Sequence, residues 1–183
     1  MQRERLSDPV RVIREQVLDA TLSLFEAHEQ AFAFTSDTEG VLPLTPSEPL
    51  VAASIGYTGE GIRGSLVLLT SSQVASSWSS ECELDEIALC DIVGEFSNML
   101  LGRVKSRIIP YGVTLSIALP ISAIGRDLRV LSSPGGTSLW QTFHGDAGDV
   151  HVRLDLNLDA EFAMYALPDE PAPSTIEGDV LLF

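Results

Sequence analysis

Basic residues are scarce in this chain. Eleven Lys and Arg face 26 Asp and Glu across 183 residues, for a net charge of −15. A protein that neutralises phosphates needs a basic patch, so the balance argues against nucleic acid as a partner. It argues equally against anionic membrane surfaces. Cysteine is almost lacking: Cys82 and Cys90 flank the start of one predicted helix. A disulfide between them would need an awkward local geometry, and as metal ligands they have no partner set. Idle or buried thiols in a reducing cytoplasm are the better reading. His28, His144 and His151 are scattered, suggest no metal cluster, and stand near no serine or cysteine in a nucleophile motif. A phosphate-cradling glycine loop of the Walker type is missing. No apolar run reaches membrane-spanning length. Met1-Gln-Arg-Glu-Arg5 is followed by no apolar core, so no secretory leader is expected. The expectation is a cytoplasmic protein that binds no cofactor of its own.

What is present reads as globular. Hydrophobic residues make up 45% and charged residues 20% of the chain, a balance that supports a packed core and not a disordered one. A chain of this length suffices for one domain, in which about 70% of the unfolded surface becomes buried.

Periodicity predicts a first helix over 10–34, with Ile13, Val17, Thr21, Leu24 and Phe25 as its apolar stripe. Residues 36–49, with three prolines and a glycine, read as a loop. Residues 50–57 and 64–70 read as paired strands joined through Thr58-Gly-Glu-Gly61. A short helix follows, and then a long one over 84–109. Strands are predicted near 113–119, 129–132, 138–143 and 150–158. In the last, Val150, Val152, Leu154, Leu156 and Leu158 alternate with His151, Arg153, Asp155 and Asn157, giving one buried and one wet face. Gly145-Asp-Ala-Gly148 supplies the hairpin turn before it. Helices and strands segregate, so the expected class is α+β, with a mainly antiparallel sheet and helices packed on it. Residues 1–167 form one domain, with a core over 50–158. Residues 168–183 read as an acidic, proline-containing linker that ends in the apolar cluster Val180–Phe183.

The long helix carries the functional signal. With about 100° per residue, Asp91, Glu95, Asn98 and Gly102 fall on one narrow stripe. Leu89, Ile92, Val93, Phe96, Met99, Leu100, Leu101 and Val104 make the rest apolar. A surface helix normally has the reverse proportion. This one should be largely buried, with a polar ridge left exposed or facing a partner. Glu and Asn at i and i+3 reach a common target. Gly94 and Gly102 are poor helix formers placed on or beside the ridge, where a missing side chain lets another group approach. A solvated face remains the competing reading, and a contact surface is easier to defend from these residues than a named reaction. Arg103, Lys105 and Arg107 suit the C-terminal helix dipole better than an anion site.

Asp91-x-x-x-Glu95-x-x-Asn98 resembles the signature helix of the chemotaxis phosphatases, the CheC, CheX and FliY family. Gly102 with a basic residue soon after it, Arg103 or Lys105, is similar to the CheX branch. So is Thr114-Leu-Ser-Ile-Ala-Leu-Pro120, followed by Ile121-Ser-Ala-Ile-Gly125. Gly64-Ser-Leu-Val-Leu-Leu-Thr70, followed by Ser71-Ser-Gln-Val-Ala-Ser-Ser-Trp78, resembles the family's strand-then-helix unit. The first helix carries no second copy of the motif, since Glu26-Ala-His-Glu29 has Glu where Asn should be. One site per chain is therefore expected.

The resemblance implies a CheC/CheX-like fold, a homodimer, and hydrolysis of the aspartyl-phosphate on a CheY-like response-regulator receiver domain. It implies that Asn98 positions the attacking water and Glu95 pairs with a receiver lysine. Asp91 and Gly102 would contact the partner, although Asp91 equally suits capping or solvating the first turns, and Gly102 equally suits packing on its own sheet. Any Mg²⁺ would sit on the receiver. A non-catalytic adaptor that binds a receiver or another signalling protein is the alternative. The apolar end of the tail keeps it open, because that end suits docking on a partner as well as packing on its own domain.

Overall fold

The structure is a computed structural model that describes residues 3–38, 49–80, 83–126, 128 and 135–166. Helix α1 (Pro9–Ala27) starts where the Asp8 side chain accepts from the Arg11 N–H and Pro9 supplies a preset first turn. Its buried stripe is Ile13, Val17, Ala20, Thr21, Leu24 and Phe25, as the periodicity predicts. The helix stops seven residues before the predicted end. The Gln30 N–H reaches back to the Phe25 carbonyl and the Glu29 N–H to that of Glu26, with Glu29 in a left-handed turn at φ 57°. This is a Schellman stop in which glutamate replaces the usual glycine, so the sequence carries no punctuation there. Phe32–Thr38, read partly as helix and partly as loop, is instead strand β1. The Phe32 ring packs tilted against Phe25, 4.4 Å between centres, where the chain comes back onto the sheet.

Strands β2 (Leu50–Gly59) and β3 (Ile62–Ser71) form the expected hairpin, with Glu60 and Gly61 at the turn. Short helix α2 (Ser72–Ser76) and long helix α3 (Glu86–Ile108) follow, and a 3₁₀ turn over Ile109–Tyr111 extends the latter. The predicted strand over 113–119 is only Leu115–Ile117 (β4), and Ile121–Gly125 (β5) is a strand that was not expected. Both pair with β2, on either side of Pro120, which has no N–H to give to the ladder. Strands β6 (Thr137–Gly145) and β7 (Gly148–Leu158) close through the predicted glycine turn. The strand expected at 129–132 and the tail from 168 lie outside the described residues.

Among the described residues all pairings are antiparallel, in the order β1-β6-β7-β3-β2-β4, with β5 also on β2. Both long helices pack on one face, where Val51, Ala53, Ile55, Leu66, Leu68, Val152 and Leu154 meet Val17, Leu24, Val93, Leu100 and Leu101 in a single core. The other face carries a smaller cluster of Leu50, Leu69 and Trp140.

That second cluster corrects the wet face predicted for β7. Arg153 is 1% and Asp155 8% exposed. Arg153 donates to Asp155 Oδ1 through both Nε and a terminal nitrogen (3.0 and 2.8 Å), and its guanidinium lies 5.4 Å from the Trp140 ring centre. Ser138 and Ser65 donate to the same carboxylate. Alternation reports which face a side chain takes; cross-strand neighbours decide whether that face is wet.

Candidate functional site

Helix α3 begins at Asp85, whose side chain accepts from the Ala88 N–H at 2.8 Å. Capping therefore belongs to Asp85, and Asp91 is released from the capping role considered for it. Lys105 and Arg107 occupy the last turn, where positive charge suits the dipole, and Arg107 also donates to Ser23 Oγ of α1 at 3.1 Å.

The rotation of α3 about its own axis is fixed from two sides. On one, Phe96 stacks on Trp78 at 4.5 Å and on Phe25 at 6.0 Å, with His28 4.8 Å away. On the other, Gly94 is buried, and a Cβ there would stand 2.9 Å from Ser122 Oγ and 3.9 Å from Pro120 Cγ. Strand β5 thus approaches the helix through the missing side chain. Leu89, Val93, Leu100, Leu101, Val104 and Ile108 face the core.

Held this way, α3 leaves Asp91, Glu95 and Asn98 exposed and Gly102 partly exposed, all on one side. Adjacent ridge residues have Cβ atoms about 5–6 Å apart, so the Glu95 carboxylate and Asn98 carboxamide can address one target. Among the described residues, Asp91, Glu95 and Asn98 make no hydrogen bond or ion pair. The two glycines differ. Gly94 packs on β5, whereas a Cβ at Gly102 would meet nothing within 4 Å. Packing on its own sheet, one reading of Gly102, is therefore corrected: at that turn Leu100, Leu101 and Val104 face the core, and Gly102 points away from it.

Two isoleucines on the same stripe went unnoticed in the sequence. Ile87 is 72% and Ile109 49% exposed. Their helical phase was the available signal, but apolar letters in an apolar helix read as core.

The ridge offers a carboxylate that accepts hydrogen bonds and an amide that both donates and accepts. It holds no strong nucleophile. Neighbouring Cys90 is a free thiol whose pKa is pushed up by burial, then by Asp91 and Glu86, which keeps it protonated and poorly reactive. Among the described residues no group of three or more His, Cys, Asp or Glu is placed to hold a metal. No helix among them is long and apolar enough to cross a membrane. The site suits docking, orientation and charge placement.

An antiparallel sheet with this helix layer is the CheC/CheX-like fold. The chemotaxis protein CheX of Vibrio vulnificus superposes with a TM-score of 0.69 at 17% identity, covering 79% of this chain and 98% of that one. The CheX chain in the CheX–CheY–BeF3–Mg complex of Borrelia burgdorferi gives 0.62 at 18% identity, over 79% and 97%. The sequence model of the chemotaxis phosphatase CheX family matches residues 51–144, more than half of the chain and all of α3, and the protein belongs to that family. CheY-P phosphatase CheX of Thermotoga maritima is 36% identical over 85 residues, 43% of this chain and 54% of that protein. The chain thus spans about half the length of this curated relative.

Proposed function

We propose that α3 docks on a phosphorylated receiver domain of the CheY type and promotes hydrolysis of its aspartyl-phosphate. One observation carries this reading: a helix that buries one face in the core exposes Glu95 and Asn98 side by side on the other, neither of them engaged within the described residues. Membership of the CheX family and the receiver held by the Borrelia relative support it. In the reaction a water oxygen forms a new bond to phosphorus as the acyl-phosphate P–O bond breaks, releasing phosphate and the aspartate carboxylate. Hydrolysis of this kind is governed by the placement of water and charge, which a rigid ridge supplies without covalent chemistry. The Asn98 carboxamide accepts from the attacking water and orients it. Glu95 pairs with a receiver lysine and sets register. Asp91 adds negative charge beside that pair, and Gly102 leaves room for the partner's surface. Mg²⁺ belongs to the receiver, and a homodimer in the cytoplasm is part of the same reading.

The test is the phosphate lifetime on a CheY-type receiver, with and without this chain. Shortening with turnover supports the phosphatase. Binding without any change in lifetime would make the protein an adaptor.

A further inference from the structure

Six large apolar side chains stand exposed among the described residues: Phe34, Ile87, Ile109, Leu119, Ile121 and Tyr165. Single exposed apolar residues are ordinary on any surface. Ile87 and Ile109 differ from the rest in their register. Each stands eleven residues from Asn98, one on either side. Eleven residues close about three turns, so all three side chains leave the helix in the same direction. At about 1.5 Å per residue, each isoleucine is roughly 16 Å from Asn98 along the axis, and the pair spans about 33 Å. A standard protein interface covers about 800 Å² of each partner, a disc about 32 Å across. The stretch from Ile87 to Ile109 is therefore as long as one such patch, with Asn98 at its midpoint.

We propose that Ile87 and Ile109 are apolar anchors that seat the receiver domain on α3, one at each end of the polar ridge. This rests on the receiver reading given above. Between the anchors, Asp91 and Glu95 present carboxylates that no described cation pairs, and half-buried Lys105 follows on the same stripe before Ile109, so the matching surface is cationic opposite the carboxylates and apolar at both ends. Only a folded domain has that reach; a small acyl phosphate could touch the centre alone. The anchors bind equally before and during the chemical step. Uniform binding of that kind appears in KM and not in kcat.

The experiment uses a CheY-type receiver charged with beryllofluoride and Mg²⁺ for affinity, and the phosphorylated receiver for kinetics. Ile87→Ser and Ile109→Ser should each raise Kd and KM about tenfold, the scale of uncovering one buried aliphatic side chain. The kcat at saturating receiver should stay within twofold, and Ile87→Leu should restore affinity. Unchanged thermal melting excludes misfolding as the cause. Kd within twofold of wild type in both variants, with wild type active, would overturn the anchors while leaving the receiver reading intact. Variants that turn a dimer into a monomer, with receiver affinity unchanged, would overturn them in favour of a self-association face. A wild-type chain that neither binds nor dephosphorylates the receiver would remove the reading beneath them.

Discussion

Gly94 of α3 and Ser122 of β5 meet where a helix residue has no side chain: a Cβ on Gly94 would stand 2.9 Å from Ser122 Oγ. This contact and the Phe96–Trp78 stack on the opposite flank set the angle at which Glu95 and Asn98 face outward. Gly94→Val should force β5 away and destabilise the fold by about 2 kcal/mol, the usual cost of overpacking. Urea unfolding measures this directly, and an unchanged midpoint would mean that the contact yields freely.

Gly102 makes the opposite case. No atom of its own fold would touch a Cβ there, so Gly102→Ala should stabilise α3 by up to about 1 kcal/mol through helix propensity alone. Receiver affinity should nevertheless fall, because the open space is kept for the partner. A more stable variant with undiminished affinity would take Gly102 out of the interface.

Glu95→Gln keeps size and removes charge. If a receiver lysine pairs with this carboxylate, the complex should weaken and its dependence on salt should flatten. Affinity measured across a salt series separates this outcome from a simple loss of packing; parallel slopes for wild type and variant would count against the pair.

His151 gives the fold a pH signature remote from the ridge. Burial pushes its pKa below the ordinary value of 6.5, against a smaller opposing pull from Asp149, while Nδ1 lies 3.1 Å from Thr142 Oγ1. The unfolded chain therefore binds this proton more readily than the folded one. The contribution is fully present above pH 6.5 and is lost as pH falls through the lower folded value. Thermal melting from pH 8 to pH 5 should show the loss in wild type, and His151→Gln should reduce it.

The sequence was legible where a period had one cause. The apolar stripe of α1, the β2–β3 hairpin, the glycine turn of β7 and the ridge on α3 each follow from local pattern, and the structure contains all four. It was opaque where distant groups decide. Glu29 ends α1 in a conformation usually left to glycine, so the stop is invisible. Arg153 and Asp155 are polar letters made buriable by Ser65, Ser138 and Trp140, none of them nearby in sequence. Ile87 and Ile109 failed in the opposite sense, as apolar letters that the helix turns toward solvent.

The account stands or falls on Asn98. The measurement is the dephosphorylation rate of a CheY-type receiver by wild-type chain and by Asn98→Ala at saturating enzyme, with receiver affinity and melting temperature recorded beside it. Losing a water-positioning group should lower the rate about 10²–10³-fold, with affinity and melting nearly unchanged. A rate within twofold of wild type would contradict the account, because the one exposed amide on the ridge would then have no part in the chemistry.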